Sequence, residues 1–232
     1  SVIVFQNETD HDHLIELGLV PAAISTRVSG SGVDLVRFKT TSLPPDQPRI
    51  FLLVGRLLWD KGIGEYVEAA RRIKAVSRSV CFQVLGPLNV ANRTAVTSDQ
   101  LKNWEREGIV TYLGEADDVR EYIAQAHCIV LPSYREGLPR SLIEGAAMGR
   151  PLVATDVSGC RDVIDDGLNG YLCNVRDVDD LTKTLTRVCS LSLEELSDMG
   201  KKGREKVETE FDESVVIGQY IHLITKHRVN QA

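Results

Sequence analysis

The chain has 232 residues, with 27 Lys+Arg against 33 Asp+Glu and a formal net charge of −6. That balance argues against a general nucleic-acid binder, although a basic pocket within an acidic protein stays open. Five scattered cysteines (Cys81, Cys128, Cys160, Cys173, Cys189) lack CxxC or zinc-type spacing and read as reduced thiols in a cytosolic setting. No apolar run nears the roughly 18–20 residues of a spanning helix.

The chain opens at Ser1 directly into the strand-like run Val2–Phe5, which reads as a start inside a larger protein. Asn7 or Thr9 can cap a helix over 9–18 that Gly18 stops. Ile24–Val28 reads as a second strand, followed by a Gly30-Ser31-Gly32 turn. Residues 39–48 (KTTSLPPDQP) hold three prolines and no apolar periodicity, so they read as a linker.

Beyond it, strand-like runs Ile50–Val54, Val80–Leu85, Ile109–Tyr112, Cys128–Leu131 and Pro151–Ala154 alternate with helical segments. In one of these, Ile63, Val67, Ala70 and Ile73 recur at helical spacing across 63–76. A short strand at Tyr171–Cys173 follows. From Val178 on, three helices run to the end, with joints expected near Gly200–Gly203 and at Phe211-Asp212. Strand–helix alternation predicts an α/β fold: a Rossmann-like parallel sheet with helices on both faces.

In such a sheet ligands bind beyond the carboxyl ends of the strands. After Ile50–Val54 comes Gly55-Arg56-Leu57-Leu58-Trp59-Asp60-Lys61-Gly62. Arg56 can fork onto two oxygens and Lys61 can supply a mobile point charge, a pair suited to a diphosphate; two ordinary surface cations remain the alternative. After Cys128–Leu131 the loop from Pro132 leads through Glu136, Gly137, Leu138 and Pro139 into a helix carrying Glu144. Pro139 suits a first helical turn, and Gly137 allows close approach to the free amides there. Two carboxylates also occur in glycoside hydrolysis, but the neighbouring cations point to a phosphate.

Thr155–Cys160 reads as a polar capping turn. Gly86-Pro87 and Leu113-Gly114 could hold a flat ring. GxGxxG, the P-loop and Gly-x-Ser-x-Gly are absent, which lowers NAD, P-loop ATPase and α/β-hydrolase readings. The Asp-x-Asp pairs at Asp10/Asp12 and Asp177/Asp179 fall at expected helix starts, where capping explains them without a metal.

On these residues the chain resembles the family 4 (group 1) retaining glycosyltransferases of GT-B fold. The likeness is strongest to bacterial enzymes that extend capsular, O-antigen or lipid-linked glycans with UDP-sugars. It is carried by Gly55-Arg56-Leu57, Asp60-Lys61-Gly62, the run from Ser133 to Glu144 and on through Gly149-Arg150-Pro151 to Thr155-Asp156, Gly159–Ile164 and Asp166-Gly167-x-Asn169-Gly170. The resemblance implies that Arg56 and Lys61 neutralise the departing diphosphate, Glu136 accepts hydroxyls of the transferred sugar, and Glu144 accepts the ribose hydroxyls. It further implies that amides at Gly137 and Leu138 hold phosphate or sugar oxygens while the turns at Gly86 and Leu113 hold the base. No metal or cofactor is expected, the nucleotide-sugar being a substrate.

The implied organisation is a remnant of an N-terminal acceptor domain (1–38), the linker (39–48), a donor-binding domain (49–210) and a C-terminal helix crossing back (211–232). The partners implied are a UDP-sugar that gives up a hexosyl or N-acetylhexosaminyl group and, through the N-terminal domain, a glycan or lipid-linked acceptor, with no nucleic acid. The implied location is the cytoplasm, with contact to the inner membrane face left open. The 232 residues alone are expected to bind nucleotide weakly and not to transfer sugar. Rival readings are a GT-B-fold UDP-sugar epimerase and a non-catalytic nucleotide-sugar-binding module.

Overall fold

Apolar runs that are buried on both faces need helices on both sides of a parallel sheet, and the chain builds that arrangement. The computed structural model describes residues 2–28, 30, 32–88 and 90–229. Ser1, Ser31 of the expected turn and residues 230–232 of the expected last helix lie outside them. At the N-terminus β1 (Ile3–Phe5), α1 (Glu8–Glu16) and β2 (Ser25–Arg27) form a small unit, with β1 and β2 parallel and Ile3 opposite Ser25. Asn7 is the cap: its Oδ1 accepts the Asp10 N–H at 2.8 Å.

The main body follows as β3 (Arg49–Val54), α2 (Ile63–Val76), β4 (Val80–Leu85), α3 (Ser98–Arg106), β5 (Thr111–Tyr112), α4 (Arg120–Ala124), β6 (Cys128–Leu131), α5 (Arg140–Ala147), β7 (Leu152–Thr155), α6 (Ser158–Val163), β8 (Gly170–Cys173), α7 (Val178–Ser190), α8 (Leu193–Glu210) and α9 (Glu213–Val229). The strands β3 to β8 make a six-stranded parallel sheet in the order β5-β4-β3-β6-β7-β8. The order therefore reverses between β3 and β6, where Phe51 lies opposite Cys128 and Leu52 opposite Ile129.

Side chains alternate across the sheet with the strand period of two. Phe51, Leu53, Cys128 and Val130 join the core beneath Tyr66 and Ala70 of α2 and Leu181 and Leu185 of α7. Leu52, Ile129 and Leu131 face the opposite side, against Leu142 and Ala146 of α5.

Three features differ from the sequence reading or refine it. The joint expected at Gly200–Gly203 is absent: both glycines lie inside α8, and the break falls at Leu191-Ser192 instead, where Ser192 caps α8. The reason is packing, because a Cβ on Gly200 would stand 2.0 Å from the Gly149 carbonyl oxygen. The 39–48 segment has no regular element but is no loose tether. Arg150, fully buried, donates to the carbonyls of Thr41 and Ser42 in that segment and to those of Ile123 and Ala124. Burial away from any carboxylate pulls its guanidinium down to about 10. Finally, α9 runs beside the N-terminal unit, and Thr26, Arg27 and Val28 face Val215, Gly218 and His222 across a groove.

Candidate functional site

The reversal of strand order leaves a crevice between the loops that follow β3 and β6. The two loops are joined by their backbones: the Tyr134 N–H donates to the Asp60 carbonyl at 2.9 Å, and Ser133 Oγ donates to the same oxygen at 3.2 Å. Gly62, at φ 72°, brings the chains closer still, since a Cβ there would lie 2.0 Å from the Pro132 carbonyl oxygen. This close approach sets Lys61 against Glu136, and Lys61 Nζ donates to Glu136 Oε1 at 2.5 Å. Both side chains are mostly buried, 20% and 11% exposed. Arg56, by contrast, is exposed and its guanidinium has no partner among the described residues.

Beyond this pair opens a cavity of about 680 Å³. Its floor and walls include Val54, Gly55, Arg56, Lys61, Leu131 and Glu136, the first turn of α5 (Pro139, Arg140, Ser141), and Glu144. Pro139 takes the position just before α5, whose first residues Arg140 and Ser141 line this space while the Leu142 and Ile143 N–H groups donate to the Pro139 carbonyl. One turn along the helix, Glu144 sits deep, its side chain 11% exposed, and accepts from Arg140 Nη2 at 3.0 Å. Burial pushes its carboxyl above the usual range, and Arg140 opposes that shift. An exposed cation, an ion pair and a buried carboxylate around the start of a helix have the chemistry to hold an anion and to accept from hydroxyls.

Of the residues singled out from sequence, Arg56, Lys61, Glu136 and Glu144 all line this cavity. The other four are not among its lining residues, although Gly137 and Leu138 link two that are, Glu136 and Pro139. Gly86 packs its backbone on Gly55, where a Cβ would stand 2.0 Å from the Gly55 carbonyl oxygen. Leu113 packs into the apolar layer with Val119. Gly137 turns its carbonyl to Asn7 Nδ2 at 3.2 Å, and Leu138 packs into that same apolar layer. The cavity instead gains Arg37, Phe38 and the segment Asp117–Val119. Arg120 holds Asp118 in an ion pair that keeps the carboxyl well below its usual range. Asp117-Asp118 follows the carboxyl end of β5, a position that strand alternation could have flagged. Arg37 and Phe38 precede the first strand of the sheet, and no pattern within the sheet indicates them. At least one aspartate of each Asp-x-Asp pair has a partner within the protein: Asp177 caps α7 by accepting the Asp180 N–H at 2.9 Å, and Asp10 pairs with Arg135 at 2.8 Å.

Comparison with known proteins then assigns the chain. The family described as "Glycosyl transferases group 1" matches residues 37–206, most of the chain and every cavity residue named above. The chain belongs to the group 1 glycosyl transferases. It is 26% identical over 232 residues to the N,N'-diacetylbacillosaminyl-diphospho-undecaprenol alpha-1,3-N-acetylgalactosaminyltransferase of Campylobacter jejuni, covering 95% of this chain and 59% of that protein. It is 30% identical over 200 residues to the putative colanic acid biosynthesis glycosyltransferase WcaL of Escherichia coli, covering 82% and 48%. The chain thus spans about half to three fifths of the length of these relatives.

Among solved structures, a sucrose-phosphate synthase of Thermosynechococcus elongatus superposes with a TM-score of 0.85 at 21% identity, over 99% of this chain and 59% of that one. Anabaena HepE in complex with UDP gives 0.84 at 18%, over 97% and 64%. These likenesses establish the fold, that of the C-terminal domain of GT-B glycosyltransferases.

Within this group 1 glycosyl transferase, the loop carrying Glu136 is braced from three directions. Tyr134 donates its hydroxyl to Glu65 Oε1 at 2.7 Å, and Arg176 stacks on the Tyr134 ring at 4.4 Å. Asn7, buried, donates to the Gly137 carbonyl and accepts from Ser158 Oγ at 2.9 Å. Among the described residues no helix is long and apolar enough to cross a membrane.

Proposed function

We propose that this chain is the donor-binding part of a retaining group 1 glycosyltransferase that takes a UDP-sugar and gives up a hexosyl or N-acetylhexosaminyl unit to a lipid-linked or glycan acceptor. The observation that carries this reading is the cavity at the β3/β6 reversal, where Arg56, Lys61, Glu136, Glu144 and the start of α5 converge. The UDP of one structural neighbour and the diphospho-undecaprenol named for one relative support the choice of donor and acceptor.

In this reading the diphosphate lies between Arg56, Lys61 and the first amides of α5. Glu144 accepts the ribose hydroxyls, and Glu136 accepts hydroxyls of the transferred sugar. The base lies along Phe38 and Asp117–Val119, beyond the turns at Gly86 and Leu113. As the glycosidic bond breaks, positive charge grows at the sugar and negative charge on the leaving diphosphate. Cations already fixed where that charge develops lower the barrier by several kcal/mol in comparable sites, without reorganising at the moment of reaction. Lys61, released from Glu136 when the diphosphate arrives, adds its charge to that of Arg56. In this role the two cations take the place of a divalent metal, and attack from the face the diphosphate leaves requires no enzyme nucleophile.

Calorimetric titration of the chain with UDP, GDP and ADP, in the presence of EDTA, tests the reading. UDP is expected to bind most tightly, and Glu144→Ala is expected to weaken it roughly 10–100-fold, the loss of one or two hydrogen bonds to a charged group. No binding of any nucleotide, or an unchanged affinity in Glu144→Ala, refutes the donor site. The 232 residues are expected to bind donor without completing transfer, so turnover by this polypeptide with donor and acceptor would refute that part.

A further inference from the structure

Arg140 occupies a place that helix physics does not explain. It begins α5, where the helix dipole disfavours a cation. Its partner Glu144 lies four residues towards the C-terminus, the less favourable order for an ion pair on a helix. The pair is also lopsided: the Arg140 side chain is 69% exposed over the mouth of the cavity, while the carboxylate it holds is 11% exposed below. Arg140 is the one hydrogen-bond partner that Glu144's side chain has among the described residues. The other charges nearby oppose one another. Arg37 favours the ionised carboxylate and Asp118 disfavours it, and Asp118 is itself held by Arg120. Arg56, Lys61, Glu136 and Asp117 line the same cavity.

We propose that Arg140 is the positioning residue of the ribose subsite, a gate that keeps Glu144 ionised and turned into the cavity until the ribose hydroxyls displace it. This rests on the assignment of Glu144 to the ribose in the preceding section. An ionised carboxylate accepts from the ribose hydroxyls through charge-assisted bonds about twice as strong as those to a neutral carboxyl, and with no proton of its own to direct, yet burial drives Glu144 towards the neutral form. Arg140 offsets that drive in the free protein. Its exposed stem lets the guanidinium swing aside into solvent, so the ion pair competes with the ribose without blocking it.

The test compares the affinities of UDP and 2′-deoxy-UDP across pH, because their ratio isolates the ribose contact while the titration of the phosphates cancels. In the parent chain the preference for UDP should hold until the pH falls into the range where Glu144 takes up a proton. In Arg140→Ala that fall should move to higher pH, while well above it the preference equals or exceeds the parent's because the competitor is gone. Arg140→Lys should bring the midpoint back towards the parent. Both substitutions fall on an exposed side chain and leave the fold intact. Superimposable profiles for parent and Arg140→Ala, with the preference still abolished in Glu144→Gln, overturn the proposal while sparing the ribose assignment. A parent-like preference in Glu144→Gln overturns both.

Discussion

The contact between Gly62 and Pro132 offers a direct way to ask how tightly the two loops must meet. Gly62→Ala carries two costs that a second substitution separates. At φ 72° an alanine is in the left-handed region, which costs roughly 1–2 kcal/mol. Gly108→Ala, at φ 69° with nothing within 4 Å of the new Cβ, carries that cost alone. At Gly62 the Cβ would also meet the Pro132 carbonyl oxygen at 2.0 Å, where ordinary contact begins at 3.4 Å. One loop must then retreat by more than about 1 Å, an overpacking cost of typically 1–3 kcal/mol. That retreat strains the Tyr134 N–H to Asp60 bond at 2.9 Å and draws Lys61 away from Glu136. Urea unfolding should show a loss of about 1–2 kcal/mol for Gly108→Ala and about 2–5 for Gly62→Ala. UDP titration should show weakened binding only for the latter. If the two variants unfold and bind alike, the close approach of the loops does not hold the site together.

Three further outcomes follow from the surroundings of the site. Arg150→Met orphans the carbonyls of Thr41, Ser42 and Ala124, while that of Ile123 keeps the Ala126 N–H at 3.1 Å, and should cost about 2–4 kcal/mol in urea unfolding once the relieved burial of a charge is set against it; a change under about 1 kcal/mol would show the segment is held by other contacts. His127 is fully buried, with Nδ1 accepting the Ile50 N–H and Nε2 facing the Pro45 carbonyl, each at 3.0 Å, and burial lowers it from its ordinary 6.5. The unfolded chain therefore takes up this proton first, so the His127 contribution is complete above about pH 6.5 and is lost as pH falls below it. Denaturation across pH 5–7.5 should show that slope in the parent and not in His127→Gln. Tyr134→Phe removes the donor to Glu65, whose other oxygen, Oε2, is already buried without a partner, and should cost about 1–2 kcal/mol in thermal unfolding.

The sheet is legible because its strands are largely apolar, with Arg49, Gln83, Thr111 and Thr155 as exceptions. Val80–Leu85 and Cys128–Leu131 stand where their strand-like runs predict, and 63–76 is a helix for the periodicity of Ile63, Val67, Ala70 and Ile73. Gly200 is ambiguous in sequence because glycine serves both to break helices and to let two backbones touch, and only the partner across the gap, here the Gly149 carbonyl, distinguishes the two uses. At the site, Arg56, Lys61, Glu136 and Glu144 could be picked out because their loops follow β3 and β6. Alternation marks Asp117-Asp118 as following a strand but does not reveal which strands are neighbours, so it does not place that segment beside this cavity, and Arg37 lies before the sheet altogether. Arg140 carries no signal in sequence for a related reason: an arginine in a first turn reads as surface charge, and only the fold shows the carboxylate beneath it.

Asn7 bears on how the site comes into being. Its bonds to Gly137 and Ser158 close chain separations of 130 and 151 residues, far longer than the strand-to-strand steps within the sheet. Contacts of such high order pay their loop-closure entropy late in folding. The sheet can therefore assemble while the segment after β6 is still unsettled, and that segment takes its final shape only when the N-terminal unit docks. Recovery of nucleotide binding during refolding should lag behind recovery of secondary structure, with Asn7 at the last step between them.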